Sequence, residues 1–190
     1  MNQLYNKYRD PVPIDFPIES DLFNFSDFIV ENVEQYRENT TYNLVHENEL
    51  VTVTVYTNGY RTVHVYTNNK HGSLRMPAAV DYYGDEPYLI NYIYNYNFHR
   101  PDGPAIIFYS IANGKKHESY FINGIYLSES IYNYTINKIK EDTLILNGSC
   151  KKNELTGYRL IAEHYNSKNV IEQLDQIDIL NRLTGDDDKC

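Results

Sequence analysis

In "LVTVTVYTNGYRTVHVYTNN", Val51, Val53 and Val55 alternate with Thr52 and Thr54, and the alternation resumes at Val63 and Val65 after Asn58-Gly59. Successive strand residues point to opposite faces, so this pattern predicts two strands with an apolar and a hydroxylated side each. Asn58 and Gly59 tolerate positive φ and predict the hairpin turn that joins them. Upstream, Pro11, Pro13 and Pro17 predict an extended, irregular lead-in. Leu22, Phe25, Ile29, Val33 and Tyr36 then recur near helical period, predicting a helix over about 20–37 with Ser20 or Asp21 as cap. The β-branched "DFIVENV" offers a competing strand through Phe28, Val30 and Val33.

Downstream, Ile131, Tyr134, Ile136 and Ile139 read as strand, and "DTLILNG" as a second short strand. "GYRLIAEHY" fits a strand or a short helix. Val170, Leu174, Ile177 and Leu180 or Leu183 fall on one face of a closing helix. Ser167 or Asn169 is its expected cap, with Glu172 three residues after Asn169, and Gly185 its stop. The expected organisation is one compact unit: a Pro-rich lead-in and acidic helix (1–41), an antiparallel β-repeat domain (42–165), and a C-terminal helix with an acidic tail (166–190).

The centre of the chain repeats itself. "VHVYTNNKHGSLRMPAAVDYY" aligns with "NYIYNYNFHRPDGPAIIFY", setting Val65 against Ile93, His71 against His99 and Pro77-Ala78 against Pro104-Ala105, at an offset of 28 residues before the turn and 27 after it. "SYFINGIYL" partly matches "PYLINYIYN". Such periodicity predicts stacked strand pairs that bury a face against their neighbours. These residues resemble the short repeats with an HR-x-DGPA consensus found in uncharacterised bacteriophage and giant DNA virus proteins, similar in layout to MORN-type repeats. The first copy departs from the consensus, with "HGSLRMPA" in its place. The resemblance covers roughly residues 55–127. It implies an antiparallel β-meander, and no catalytic residue. The fold expected is therefore mainly β with terminal helices (α+β), a meander of repeats about 27–28 residues long.

Composition changes this picture in three places. The chain carries 20 Tyr, 7 Phe and no Trp, a supply suited to half-buried pleated surfaces. Its net charge of -9 is carried mainly by residues 1–50, while the centre is balanced. With no cluster of Lys and Arg, nucleic acid and anionic membrane surfaces are not expected partners. Cys150 and Cys190 form no paired ligand motif, and "MNQLYNKYRDPVP" has no apolar leader core. The expectation is an intracellular protein, in host cytoplasm or virion, with no transmembrane segment.

Candidate chemistry centres on "HRPDGPA". His99, Arg100 and Asp102 could be a base, a cation and an acid in one loop. A kinase catalytic loop is excluded because Pro101 interrupts it and no Gly-rich loop or Val-Ala-x-Lys strand precedes. The run reads better as a structural turn: Pro101 fixes φ, Asp102 bonds local backbone, Gly103 supplies a positive φ, and Pro104 starts a strand where no donor is needed. Repeat-equivalent histidines stand roughly 10 Å apart, too far to share zinc, so no metal or cofactor is expected. No phosphate loop, nucleophile elbow or paired-histidine zinc motif is present, and Cys150 with His164 has no local support as a thiol nucleophile. The tyrosines carry the functional expectation: Tyr83, Tyr92, Tyr94 and Tyr96 as a surface for a viral or host protein, in a non-enzymatic interaction or structural module. The alternative is a small-ligand binder or enzyme with a site between the sheet and a terminal helix.

Overall fold

The computed structural model describes residues 10–11, 22, 23, 25, 27–68, 70–73, 76–146 and 152–184. Ser20, Asp21, Cys150, Gly185 and the acidic tail lie outside these. The chain divides into two compact units, 1–96 with 106–118, and 97–105 with 119–190. This corrects the expectation of a single unit, and the reason is two separate apolar clusters, each drawn from its own elements.

The first unit is an antiparallel meander. Its strands are β1 (Asp10–Pro11), β2 (Ile29–Gln35), β3 (Asn39–His46), β4 (Glu49–Tyr56), β5 (Tyr60–Thr67), β6 (Lys70–His71), β7 (Ala79–Tyr83), β8 (Glu86–Asn91), β9 (Ile93–Tyr94) and, after an excursion into the second unit, β11 (Ile106–Tyr109). The main path runs β1-β2-β3-β4-β5-β7-β8-β11, with β6 beside β5. One row of opposed residues crosses it as Val33, Tyr42, Val53, Val63, Val80, Ile90 and Ile107. Leu44, Val51 and Val65 form a second such row. Val51, Val53, Val63, Val65 and Val80 are completely buried, and Phe23, Phe25, Phe28, Val30, Met76 and Tyr82 join that cluster.

Residues 29–35 form strand, not the helix expected over 20–37. A β-bulge between Val30 and Asn32 places Val30 opposite Leu44 and Val33 opposite Tyr42. Both valines thus meet the core at a spacing of three, which in sequence imitates helical period. The Asn58-Gly59 hairpin forms, with a loop of 57–59 between the strands. Only Gly59 is left-handed, at φ 82, and the Asn58 side-chain oxygen accepts the Tyr60 N–H at 3.0 Å.

The second unit contains β10 (Asn97–Phe98), the inner end of β12 (Lys116–Ile122), β13 (Ile125–Leu127), α1 (Glu129–Lys140), α2 (Lys152–His164) and α3 (Lys168–Thr184). The β-repeat domain expected to reach 165 therefore ends in helices. Residues 129–140 are helix where strand was expected: Ser128 caps through its hydroxyl, and the buried set Tyr132, Thr135, Ile136, Ile139 has helical spacing. Ile131 and Tyr134, read with Ile136 and Ile139 as one strand, are exposed on the helix. In α3, Val170, Leu174 and Ile177 are buried as expected, while Leu180 and Leu183 are exposed. The cap of α3 comes from a distant residue. Asp142 accepts hydrogen bonds from the Ser167 hydroxyl at 2.6 Å and from the backbone N–H groups of Asn169 and Val170. These donors hold the Asp142 carboxyl below the usual carboxylate range. The cap therefore acts at neutral pH, and its contribution fades as pH falls through that lowered value.

Candidate functional site

Alternation along the strands gives the first unit's sheet two unlike faces. The valine rows face the sealed core; the rows between them face the other way and are mostly half-buried, with Ala79 buried and Phe108 exposed. One such row reads Glu34, Thr41, Thr54, Thr62, Asp81, Leu89 and Phe108. The next reads Asn32, Asn43, Thr52, His64, Ala79, Asn91 and Ile106. Cross-strand hydrogen bonds tie the rows: the Thr41 and Thr54 hydroxyls lie 3.2 Å apart, and Thr52 donates to Asn43 at 3.0 Å. Glu34 accepts from Asn32 and from the Tyr36 hydroxyl. Neither row holds a Lys or an Arg.

Near the Asn58-Gly59 turn this face carries a tyrosine group. Ring centroids of Tyr56 and Tyr60 are 5.4 Å apart, those of Tyr60 and Tyr88 6.2 Å, and the Tyr60 and Tyr88 hydroxyls lie 3.1 Å apart. A register shift in the β7–β8 pair leaves Tyr88 without an opposed residue and brings it to Tyr60. Asp81, opposed to Thr62 across the β5–β7 pair, is the diagonal neighbour of Tyr60 on this face. Burial chiefly, then the bond to Tyr88 and the Asp81 charge, push the Tyr60 hydroxyl's pKa well up, so it remains protonated. Along the same face His64 meets His71, with centroids 5.6 Å apart, and His71 meets Tyr66 at 5.2 Å. Burial and the neighbouring His71 lower the His64 pKa against the opposing pull of Asp81, which favours neutral imidazole at pH 7.

Of the tyrosines singled out in sequence, Tyr83 pairs with Tyr60 in register and is 64% exposed. Tyr92 packs against the core cluster, Tyr94 is half-buried in β9, and Tyr96 is 69% exposed at a left-handed turn position. Sequence reasoning missed Tyr56 and Tyr60 and did not single out Tyr88 and Asp81. Parity would have found two of them, since Tyr56 shares a side with Thr52 and Thr54, and Tyr60 with Thr62 and His64.

The "HRPDGPA" loop lies wholly in the second unit and is clamped by Tyr132 of α1 and by Tyr165 just after α2. The Tyr132 hydroxyl donates to the Arg100 carbonyl at 2.5 Å and accepts the Gly103 N–H at 3.0 Å, while Tyr165 donates to the Pro101 carbonyl at 3.2 Å. Arg100 donates to the Asp102 carboxylate at 2.8 Å and to the Pro104 carbonyl at 3.4 Å. His99 is buried, and its Nδ1 accepts the Asn123 N–H at 3.2 Å, which places the ring proton on Nε2. Burial, then His164, lowers the His99 pKa to about 4, so the ring stays neutral at pH 7. Gly103 does not have the positive φ expected of it; its N–H is used by Tyr132, and an added Cβ would meet the Arg100 guanidinium at 3.1 Å. Asp102 bonds a neighbouring side chain where a backbone partner was expected.

Two hydrogen bonds relate the aligned copies. Ala78 donates to the Asn91 carbonyl and Ala105 to the Ser119 carbonyl, and both alanines are buried. The aligned histidines differ: His71 is half-buried, with Nε2 3.1 Å from the Ala78 carbonyl oxygen, whereas His99 takes a backbone N–H from a different strand end. Among the described residues no three His, Cys, Asp or Glu side chains converge as a metal site, and no helix is long and apolar enough to cross a membrane. No family model, curated protein or solved structure matches the chain.

Proposed function

We propose that the chain is a non-enzymatic binding module that docks a partner protein on the open face of the first unit's sheet. The observation that carries this reading is the asymmetry of that sheet. One face is sealed by completely buried valines, while the other keeps threonine, asparagine and tyrosine side chains half-exposed over consecutive strands. Aromatic rings among hydroxyls with few charges match the composition of interface centres. The viral setting implied by the "HRPDGPA" resemblance belongs to the same proposal.

Photo-cross-linking in the cells that make the protein tests it. A photoreactive residue at Thr62 is expected to capture a partner that the same residue at the exposed Glu163 of α2 does not. Thr54→Arg is expected to abolish the capture at a cost of no more than about 1 kcal/mol, because the half-buried Thr54 gives up one cross-strand contact with Thr41, and the thermal midpoint checks that the variant still folds. Equal capture from Glu163, or capture undiminished by Thr54→Arg, would contradict docking on this face.

A further inference from the structure

The open face is chemically one-sided. Its two central rows carry Glu34 and Asp81 and no cationic residue other than His64, which is held toward its neutral form. Glu34 already receives two side-chain donors. Asp81 is opposed by Thr62 and Leu89, with Tyr60 and His64 flanking Thr62 on the same side of β5, so no lysine or arginine of the two rows answers its charge. The adjacent Arg61 has the opposite parity: it pairs with Asp85 and lies over the Tyr82 ring on the sealed side. Tyr60 is the diagonal neighbour of Asp81 across the β5–β7 pair, and Tyr88 and Tyr56 both meet Tyr60. Ring faces carry negative quadrupole charge, and rings grouped with a carboxylate attract a partly desolvated ammonium or guanidinium.

Resting on the docking reading above, we propose that the Tyr60–Tyr88–Asp81 corner receives a lysine or arginine side chain from an extended basic segment of a partner protein. The charge complementarity is local, and the chain's net charge of -9 adds long-range steering toward a basic partner. The Thr and Asn rows leading away from the corner supply hydroxyl and amide groups along the track such a segment would follow.

The experiment uses the full chain and two synthetic peptides of equal length, an arginine–glycine repeat and a glutamine–glycine repeat. Binding is followed by calorimetry and by NMR shifts of the Tyr60, Thr62, Asp81 and Tyr88 amides. The arginine peptide is expected to bind and shift these amides, and the glutamine peptide to do neither. Asp81→Asn and Tyr88→Leu are each expected to weaken binding about tenfold, and Glu163→Gln to leave it unchanged. Circular dichroism checks each variant, and the two corner variants perturb different strands, so failure of one to fold leaves the other decisive. Undiminished binding to both corner variants would mean that net charge alone attracts the peptide, and overturns the inference. So would a neutral soluble polysaccharide shifting the same amides where the arginine peptide does not. In either case the cross-linking at Thr62 still decides separately whether the face docks a protein at all.

Discussion

Alanine in place of Gly72 destabilises the first unit by about 3–5 kcal/mol, a large share of the stability of an ordinary domain. Gly72 sits at φ 122, and a Cβ there would lie 2.2 Å from the Ile93 carbonyl oxygen, 2.6 Å from its carbon and 3.0 Å from the Tyr94 Cα. These are backbone atoms and cannot swing aside. The glycine cannot retreat either, because its N–H is held by the Val65 carbonyl at 2.9 Å and the next N–H, of Ser73, by the Ile93 carbonyl at 3.0 Å. Left-handed strain and overpacking each cost roughly 1–3 kcal/mol, and here they act on one residue. Hydrogen exchange followed residue by residue is expected to show the loss in the β5 and β7 amides. A variant with wild-type protection in those strands would mean that the close approach at Gly72 does not exist.

Gly157→Val in α2 has the second largest expected effect. A Cβ at this position would fall 2.3 Å from the Ile122 Cγ2 and 3.1 Å from the Asn123 Cβ. Ile122 is nearly inaccessible and its β-branched methyl has few rotamers to escape into. The gain in helix propensity over glycine, at most about 1 kcal/mol, does not offset overpacking of about 1–3 kcal/mol plus displacement of the helix. The net expectation is a loss of about 2 kcal/mol or more, read from the urea midpoint of the full chain. Ile122→Ala removes the colliding methyl, so the double variant should be markedly more stable than the sum of the single effects. Additive losses would show that the helix does not rest on Ile122 through this glycine.

Both glycines illustrate what could be read in advance. "GYRLIAEHY" carries Gly157 in a segment that fits strand or helix equally well, and nothing local reports that its missing side chain admits Ile122 from a strand 35 residues earlier. The β4–β5 hairpin was legible because each strand alternates strictly and the loop has a glycine where the backbone turns left-handed. The β2 strand was not, because its bulge puts Val30 and Val33 on one side at a spacing of three. Residues 128–140 satisfied both periods; the helix prevails through the Ser128 cap and the Tyr132, Ile136, Ile139 stripe, which packs in the second cluster. The α3 cap lay beyond local reading, since Asp142 reaches it from another loop.

The candidate site was half legible. Valine–threonine alternation already implied a sealed face and a hydroxylated one, and parity places Tyr56 and Tyr60 on the latter. Tyr88 joins them only because the β7–β8 register slips beside it, and Tyr92, equally prominent in sequence, packs against the core instead. A run of tyrosines does not by itself say which are exposed.

Thiol labelling tests the sealed and open faces most directly. With Cys150 and Cys190 replaced by serine, single cysteines are placed at neighbouring positions of opposite parity, Thr54 and Thr62 against Val53 and Val63. Native protein should label rapidly at Thr54→Cys and Thr62→Cys, and at least about a hundredfold more slowly at Val53→Cys and Val63→Cys, where reaction waits on opening of the core. Slow labelling at all four positions would mean that both faces are covered and that no partner docks on this sheet.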